Sequence, residues 1–296
     1  MVELEGVAFG YGKRGRLFEG LDLKLEPGNV YGLLGRNGAG KTTLLNLMSG
    51  LLFPKAGSAR VAGEQVRRRT PAFLRELYFV PEEFHTPALS ARGLVGLYGV
   101  FYPRFDHAAM ERYLEELEID PTQRMTAMSY GQKKKVLLAF AVASGCRLLL
   151  LDEPTNGLDI PAKSQFRRLL AGAAADDRVI VVSTHQVRDL EHLIDPILIL
   201  EQGSIVFQHS VEEISTALAV REAGPAGAPG NGHAIYVELS SGAGGAHAGR
   251  ALVPAERGGP MSESAIDLEL LFNSVCADHR RVEAAFASAD SDKRSE

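Results

Sequence analysis

Gly35-Arg36-Asn37-Gly38-Ala39-Gly40-Lys41-Thr42-Thr43 decides the reading of this chain, set between the apolar run Val30-Tyr31-Gly32-Leu33-Leu34 and the helix-compatible Leu44-Leu45-Asn46-Leu47-Met48. The spacing fits the phosphate-binding pattern G-x-x-x-x-G-K-[ST], in the strand, loop, helix context that the chemistry requires. Its glycines let main-chain N–H groups converge without Cβ obstruction, so they can wrap anionic phosphates at the positive end of the following helix. Lys41 is then expected to reach the β- and γ-phosphates of a nucleotide, and the Thr42 hydroxyl to ligate Mg²⁺.

The chain of 296 residues, 45% hydrophobic, can bury an ordinary core in one large or two modest domains. A formal net charge of −5 gives no overall attraction to nucleic acid, and no nucleic-acid partner is expected. Arg67-Arg68-Arg69 and Lys133-Lys134-Lys135 are local exceptions. The two cysteines, Cys146 and Cys276, lie far apart without metal-ligand spacing, which points to a reduced compartment. Met1 to Glu5 carries neither a basic region nor an apolar core, so no secretory signal is expected. The longest aliphatic run, Val136 to Ala143, falls far short of the ~20 residues that span a bilayer. Any membrane role is therefore expected to be supplied by a partner.

Around the loop, the alternation of Val2, Leu4, Val7 and Phe9, and of Leu21, Leu23 and Leu25, predicts two half-buried antiparallel strands. Tyr11 then falls on the turn between them, either stacking on an adenine ring or exposed without a ligand. Ser58 to Ala62 and Leu77 to Val80 read as strands. Ser90 and Asp106 are expected to cap helices, the second with an apolar stripe of Met110, Tyr113, Leu114 and Leu117 opposite a solvated acidic face. Ser129 is a candidate cap for Lys133 to Ala143. Three lysines in its first turns oppose the helix dipole, at about 0.3–1 kcal/mol for each exposed charge. They read either as a solvated charge run or as a counterpart to a docked anion.

Leu148-Leu149-Leu150-Leu151-Asp152-Glu153 is a continuous apolar run ending in two acids, as expected of a central parallel strand whose carboxyl end faces a ligand crevice. There Asp152 can hold Mg²⁺, and Glu153 can polarise a water for in-line attack on a γ-phosphate. Taken alone, the run is equally a strand that stops at an acidic turn. Val179 to Thr184 repeats the layout and ends at His185, a candidate γ-phosphate contact, although a histidine after a strand is commonly structural. Glu201-Gln202-Gly203 signals a hairpin, and Val211 to Ala219 a short helix. Residues 221–234 read as a linker, 235–296 as a small appendage with a strand at Ala234 to Leu239, a helix from Ala265 to Ala287, and a disordered tail from Ser288.

Taken together and in this order, the motifs of the first 220 residues resemble the nucleotide-binding subunit of an ABC transporter. Gly35 to Thr43 resembles Walker A, Ser129-Tyr130-Gly131-Gln132 the signature, Leu148 to Glu153 Walker B with the catalytic glutamate, Gly157-Leu158-Asp159 the D-loop, and Thr184-His185 the switch histidine. The resemblance implies an α/β fold: a P-loop NTPase core with a mixed sheet and flanking helices, an antiparallel β subdomain, and a helical signature subdomain at about 84–145. It implies ATP and Mg²⁺ as ligands. Catalytic roles fall to Lys41, Glu82, Glu153 and His185. ATP contacts fall to Tyr11, to Gly35, Arg36, Asn37, Gly38, Ala39, Gly40, Lys41, Thr42 and Thr43, and to Ser129, Gly131 and Gln132. Thr42, Glu82 and Asp152 would hold the metal. It further implies a head-to-tail dimer, expected to be a homodimer, in which the signature of one subunit closes on the ATP of the other. That dimer would power a separate transmembrane permease from the cytoplasmic face of the cell membrane.

Two residues depart from the family pattern. Glu82 stands where the family usually has glutamine, and is expected to keep the metal and coupling role. Tyr130 replaces a glycine, which the signature tolerates if the side chain points away from phosphate. With Pro81 to Pro87 and Phe101 to Asp106, the signature resembles bacterial exporter-type subunits. A soluble ATPase of DNA maintenance or translation, and a noncatalytic ATP-sensing module, are the alternatives. The first lacks support from charge or from a long coiled-coil insertion.

Overall fold

The computed structural model describes residues 1–12, 15–223, 234–239, 249–255 and 267–293. Strands β1 (Val2–Phe9) and β2 (Phe18–Leu25) pair antiparallel, and β4 (Ala56–Val61) and β5 (Glu64–Gln65) complete a sheet of order β2-β1-β4-β5. The register sets Val2 opposite Leu25 and Leu4 opposite Leu23, so the alternating apolar positions share one buried face.

The second sheet contains β3 (Asn29–Leu34), β6 (Leu77–Val80), β7 (Leu148–Asp152), β8 (Val179–Thr184), β9 (Ile197–Glu201) and β10 (Ser204–His209), in the order β10-β9-β3-β8-β7-β6. All neighbours run parallel except the β9–β10 hairpin. Every residue of β7 and β8 is buried. Their alternating side chains enter two different cores: Leu148, Leu150, Val179 and Val181 pack toward the antiparallel sheet, while Leu149, Leu151, Ile180 and Val182 pack toward helices. A continuous apolar run is what a strand covered on both faces requires. Because β3, β7 and β8 are parallel, their carboxyl ends deliver three loops to one edge of the sheet.

Helix α1 (Lys41–Met48) follows β3 and lies in the core beneath the antiparallel sheet, and α2 (Pro71–Arg75) precedes β6. The opposite face is covered by α3 (Ala91–Tyr98), α4 (His107–Glu116), α5 (Tyr130–Ala143) and α6 (Ile160–Ala173). Ser90 and Asp106 accept from the N–H groups of Gly93 and Ala109 at 3.1 and 2.8 Å, capping α3 and α4. Ser129 caps α5 in a reciprocal box with Gln132. Met110, Leu114 and Leu117 are buried with Tyr113 packed beside them, and the acidic residues of that segment are exposed. The lysine run departs from both readings at its middle residue. Lys133 and Lys135 are half-buried, whereas Lys134 is 0% exposed.

The C-terminal region also departs from expectation. Helix α7 (Val211–Ala217) ends two residues early because β11 (Leu218–Ala223) begins there, occupying the first residues of the expected linker. Residues 224–233 lie outside the described residues. β11 pairs antiparallel with β13 (Gly249–Pro254), and β13 with β12 (Tyr236–Leu239). Residues 240–248 are likewise outside them. Helix α8 (Leu268–Lys293) is interrupted at Asp278 and continues through residues expected to be a disordered tail. The alanines at 284, 285, 287 and 289 favour that continuation. No helix among the described residues is long and apolar enough to cross a membrane.

His209 on β10 fastens α8 to the rest of the molecule. Its Nε2 lies 3.2 Å from Glu283, its Nδ1 3.5 Å from Glu213, and its ring stacks on Phe286 at 3.9 Å and 14°. Burial lowers the imidazole pKa, but the hydrogen bond and charge of Glu283, then the charge of Glu213, outweigh it and leave the pKa raised. A raised pKa stabilises the docked helix fully below the unfolded value, near about pH 6.5, and the gain is lost as pH rises through the folded value. Amide-exchange protection of α8, corrected for intrinsic rates, should fall as pH rises above about 6.5 and become flat in His209→Gln. Protection that is independent of pH in the parent chain contradicts this.

Candidate functional site

The loops at the carboxyl ends of β3 and β7 border a cleft of about 610 Å³, lined by Tyr11, Arg36, Asn37, Gly38, Gly40, Lys41, Thr42, Thr43, Glu82 and Glu153 among others. Residues 35–40 turn sharply between β3 and α1, with Gly38 at φ 83° and Gly40 at φ 109°. A Cβ at Gly40 would also crowd the Phe18 ring at 3.0 Å. The turn leaves the first N–H groups of α1 facing the cleft, an anion-binding arrangement.

Lys41 is buried, and its Nζ donates to the Gly35 carbonyl at 2.7 Å while standing 3.6 Å from Glu153 Oε1. Next to it, the Thr42 hydroxyl donates to Asp152 Oδ2 at 2.7 Å, and the Ser183 hydroxyl donates to Asp152 Oδ1. Asp152 is 1% exposed. Its oxygens and the Thr42 hydroxyl are donors of the kind that suit a hard cation such as Mg²⁺, and Glu82 lines the same cleft as Thr42.

Glu153 is 5% exposed and adopts φ 44°. Its carboxylate meets His185 Nδ1 at 2.9 Å and accepts from the His185 N–H at 3.4 Å. Glu82 accepts from Asn156 Nδ2 at 2.9 Å, and Asn156 in turn accepts from Gln186 Nε2 at 3.4 Å. Tyr11 is 60% exposed, sets its ring edge-on to Phe9, and shares a 3.0 Å hydrogen bond with the Thr43 hydroxyl, leaving its ring at the rim of the cleft.

Ser129, Gly131 and Gln132 stand apart from these residues. They form the start of α5 and do not line the cleft. Gln132 is engaged in the helix cap, accepting from the Ser129 N–H at 2.9 Å. Tyr130 turns toward the β6–α3 loop. Its hydroxyl donates to the Glu82 carbonyl at 2.6 Å, and its ring stacks on Phe84 at 5.0 Å and 19°. The two departures from the family pattern therefore touch each other. Burial and the charges of Glu82 and Glu83 raise the Tyr130 pKa.

Ser183, Asn156 and Lys134, none of them expected as site residues, contact the acidic end of β7. Ser183 could be found from strand register, because it pairs directly with Asp152 in the parallel ladder. Asn156 and Lys134 carry no such signal. Lys134 donates to the carbonyls of Glu153 and Asn156, contacts visible only once α5 is packed on the turn after β7.

The family model described as ABC transporter matches residues 18–156. The Nod factor export ATP-binding protein I of Paraburkholderia xenovorans (strain LB400) is 31% identical over 208 residues, covering 68% of each chain. The daunorubicin resistance ATP-binding protein DrrA3 of Streptomyces coeruleorubidus is 28% identical over 240 residues, 77% of this chain and 76% of that one. Among solved structures, a dimeric ATP-binding cassette in a post-hydrolysis state bound to ADP and Pi superposes with a TM-score of 0.61 at 24% identity, over 71% of this chain and 98% of that one, a likeness of fold. The P-loop cleft, the acidic end of β7 and these relatives agree, and the chain belongs to the ABC transporter family as one of its ATP-binding proteins.

Proposed function

We propose that this chain hydrolyses ATP to drive export through a separate membrane-spanning permease, working as a head-to-tail homodimer at the cytoplasmic face of the cell membrane. The observation that carries the reading is that Lys41, Thr42 and Glu153 line one cleft, with Lys41 Nζ 3.6 Å from the carboxylate of Glu153, Asp152 hydrogen-bonded to Thr42 and His185 to Glu153. Export as the direction rests on relatives whose names carry Nod factor export and daunorubicin resistance. Residues 1–220 form the ATP-binding unit in this reading, with a helical part at about 84–145, and 235–296 a small appendage that supports regulation or dimerisation.

The nucleotide lies with its phosphates under the N–H groups of residues 35–43 and its adenine against Tyr11. Lys41 then exchanges its contacts with Gly35 and Glu153 for the β- and γ-phosphates. That exchange leaves the Glu153 carboxylate free to accept a proton from water, with His185 fixing its direction. Thr42, Asp152 and Glu82 would hold Mg²⁺, which supplies charge neutralisation at the phosphates when bound. Ser129 and the Gly131 main chain approach the γ-phosphate from the partner subunit, because their own subunit does not bring them to its cleft. This arrival places an anion at the start of α5, where the helix dipole favours negative charge.

The exposed Leu97, Tyr98, Val100 and Phe101 lie on α3 and the turn after it, at 52%, 41%, 75% and 61% exposure. A run of large apolar side chains in water suits a protein partner, and in this reading it receives the permease.

Glu153→Gln should lower kcat by about 10²-fold or more while ATP binding survives, so that an ATP-bound dimer accumulates on size exclusion. Hydrolysis at the parental rate removes Glu153 from its role. Glu82→Gln removes a charge beside the cleft, and should shift the Mg²⁺ concentration for half-maximal ATPase by about threefold or more. Unchanged Mg²⁺ dependence, ATPase rate and permease-stimulated rate would together refute the metal and coupling role of Glu82.

A further inference from the structure

Lys134 is sealed from solvent, yet no step of the proposed reaction uses it. Its ammonium donates to the main-chain carbonyls of Glu153 at 2.7 Å and Asn156 at 2.9 Å, and lies 5.8 Å from the centre of the Tyr130 ring. An ammonium has three donors and no acceptor; two of them go to carbonyls, and the Tyr130 ring lies within cation–π range. Burial lowers its pKa to about 8, against the opposing influence of the carboxylates of Glu82, Glu153 and Asp152. A dry cation is costly to keep. A glutamine or methionine would fill the same space, so the charge points to a task at the turn it grips.

That turn is strained where the chemistry is placed. Glu153 occupies the left-handed region at φ 44°, which a residue with a side chain rarely adopts without outside support. Both sides of the residue are held. Its N–H donates to the Ser183 carbonyl at 3.1 Å, and its carbonyl accepts from Lys134 Nζ and from the Asn156 N–H at 3.2 Å. Of these, only the Lys134 bond comes from α5. The same helix is joined to the β6–α3 loop through Tyr130, one turn before Lys134, whose hydroxyl reaches the Glu82 carbonyl.

We propose that Lys134 is a positioning residue for hydrolysis: by gripping the carbonyls of Glu153 and Asn156 it holds Glu153 in its left-handed conformation, aims the carboxylate, and ties that aim to the position of α5. The proposal rests on the reading of Glu153 as the group that activates water. Its consequence in a head-to-tail dimer is directional. The helix that offers Ser129 and Gly131 to the partner's nucleotide also sets the glutamate of its own.

The test uses the full chain with Lys134→Met, which keeps length and removes the donors, and Lys134→Gln, which restores neutral N–H donors. Lys134→Met should lower kcat about tenfold or more with KM for MgATP within about twofold, and Lys134→Gln should recover part of the loss. Amide exchange across residues 153–158 should rise about tenfold in Lys134→Met. In a Glu153→Gln background Lys134→Met should cause no further loss, because both act through one carboxylate. A parental kcat, or a loss that adds in full to that of Glu153→Gln, overturns the proposal. Should the methionine variant not fold, the glutamine variant decides: about a threefold loss of kcat at constant KM supports the grip, and parental kcat with parental exchange overturns it. If exchange at 153–158 rises as expected while Glu153→Gln itself hydrolyses normally, the reading of Glu153 fails and the grip on its backbone stands.

Discussion

Two carboxylates at the buried end of β7 set the terms for this structure. Asp152 and Glu153 are nearly sealed from water, and a buried charge persists only where hydrogen bonds and opposite charges repay its lost hydration. The surrounding chain supplies them from three directions. Thr42 and Lys41 come from α1, Ser183 and His185 from the end of β8, and Lys134 from α5. Removing one partner of such a set typically costs about 3–5 kcal/mol, because the remaining charge is stranded. Stability and chemistry are therefore held in the same contacts. A phosphate that draws Lys41 away alters the balance around Glu153.

The parts of this arrangement that sequence made legible are those whose physics is local. The glycine spacing of residues 35–40 follows from backbone angles that a side chain would obstruct, and so it shows in the order of residues alone. The unbroken Leu148 to Leu151 run shows because both faces of β7 are covered. The caps at Ser90, Asp106 and Ser129 show because each satisfies an N–H group three residues away.

What stayed hidden depends on packing between distant segments. Lys134 sits in a run of three lysines that reads as solvated or as facing a docked anion, and only the docking of α5 against the turn after β7 makes it an internal donor. The C-terminal sheet behaves alike. Ala251, Leu252 and Val253 are buried by β11, about thirty residues earlier in the chain, so neither segment reads as part of a sheet by itself. Glu82 and Tyr130 were visible as separate departures from a pattern, but their contact through a carbonyl was not. Pairing them explains how a tyrosine is accommodated in the signature: its ring lies against Phe84 and away from the P-loop cleft.

In the proposed dimer one subunit holds only half of a working site, since the start of α5 is absent from its own cleft. The measurement that addresses it most directly is the specific ATPase rate of the purified chain as a function of its concentration, at saturating ATP and Mg²⁺. The total rate should rise about as the square of subunit concentration while monomer predominates, then linearly once dimers form. A rate per subunit that stays constant down to concentrations where sedimentation shows only monomer would contradict it.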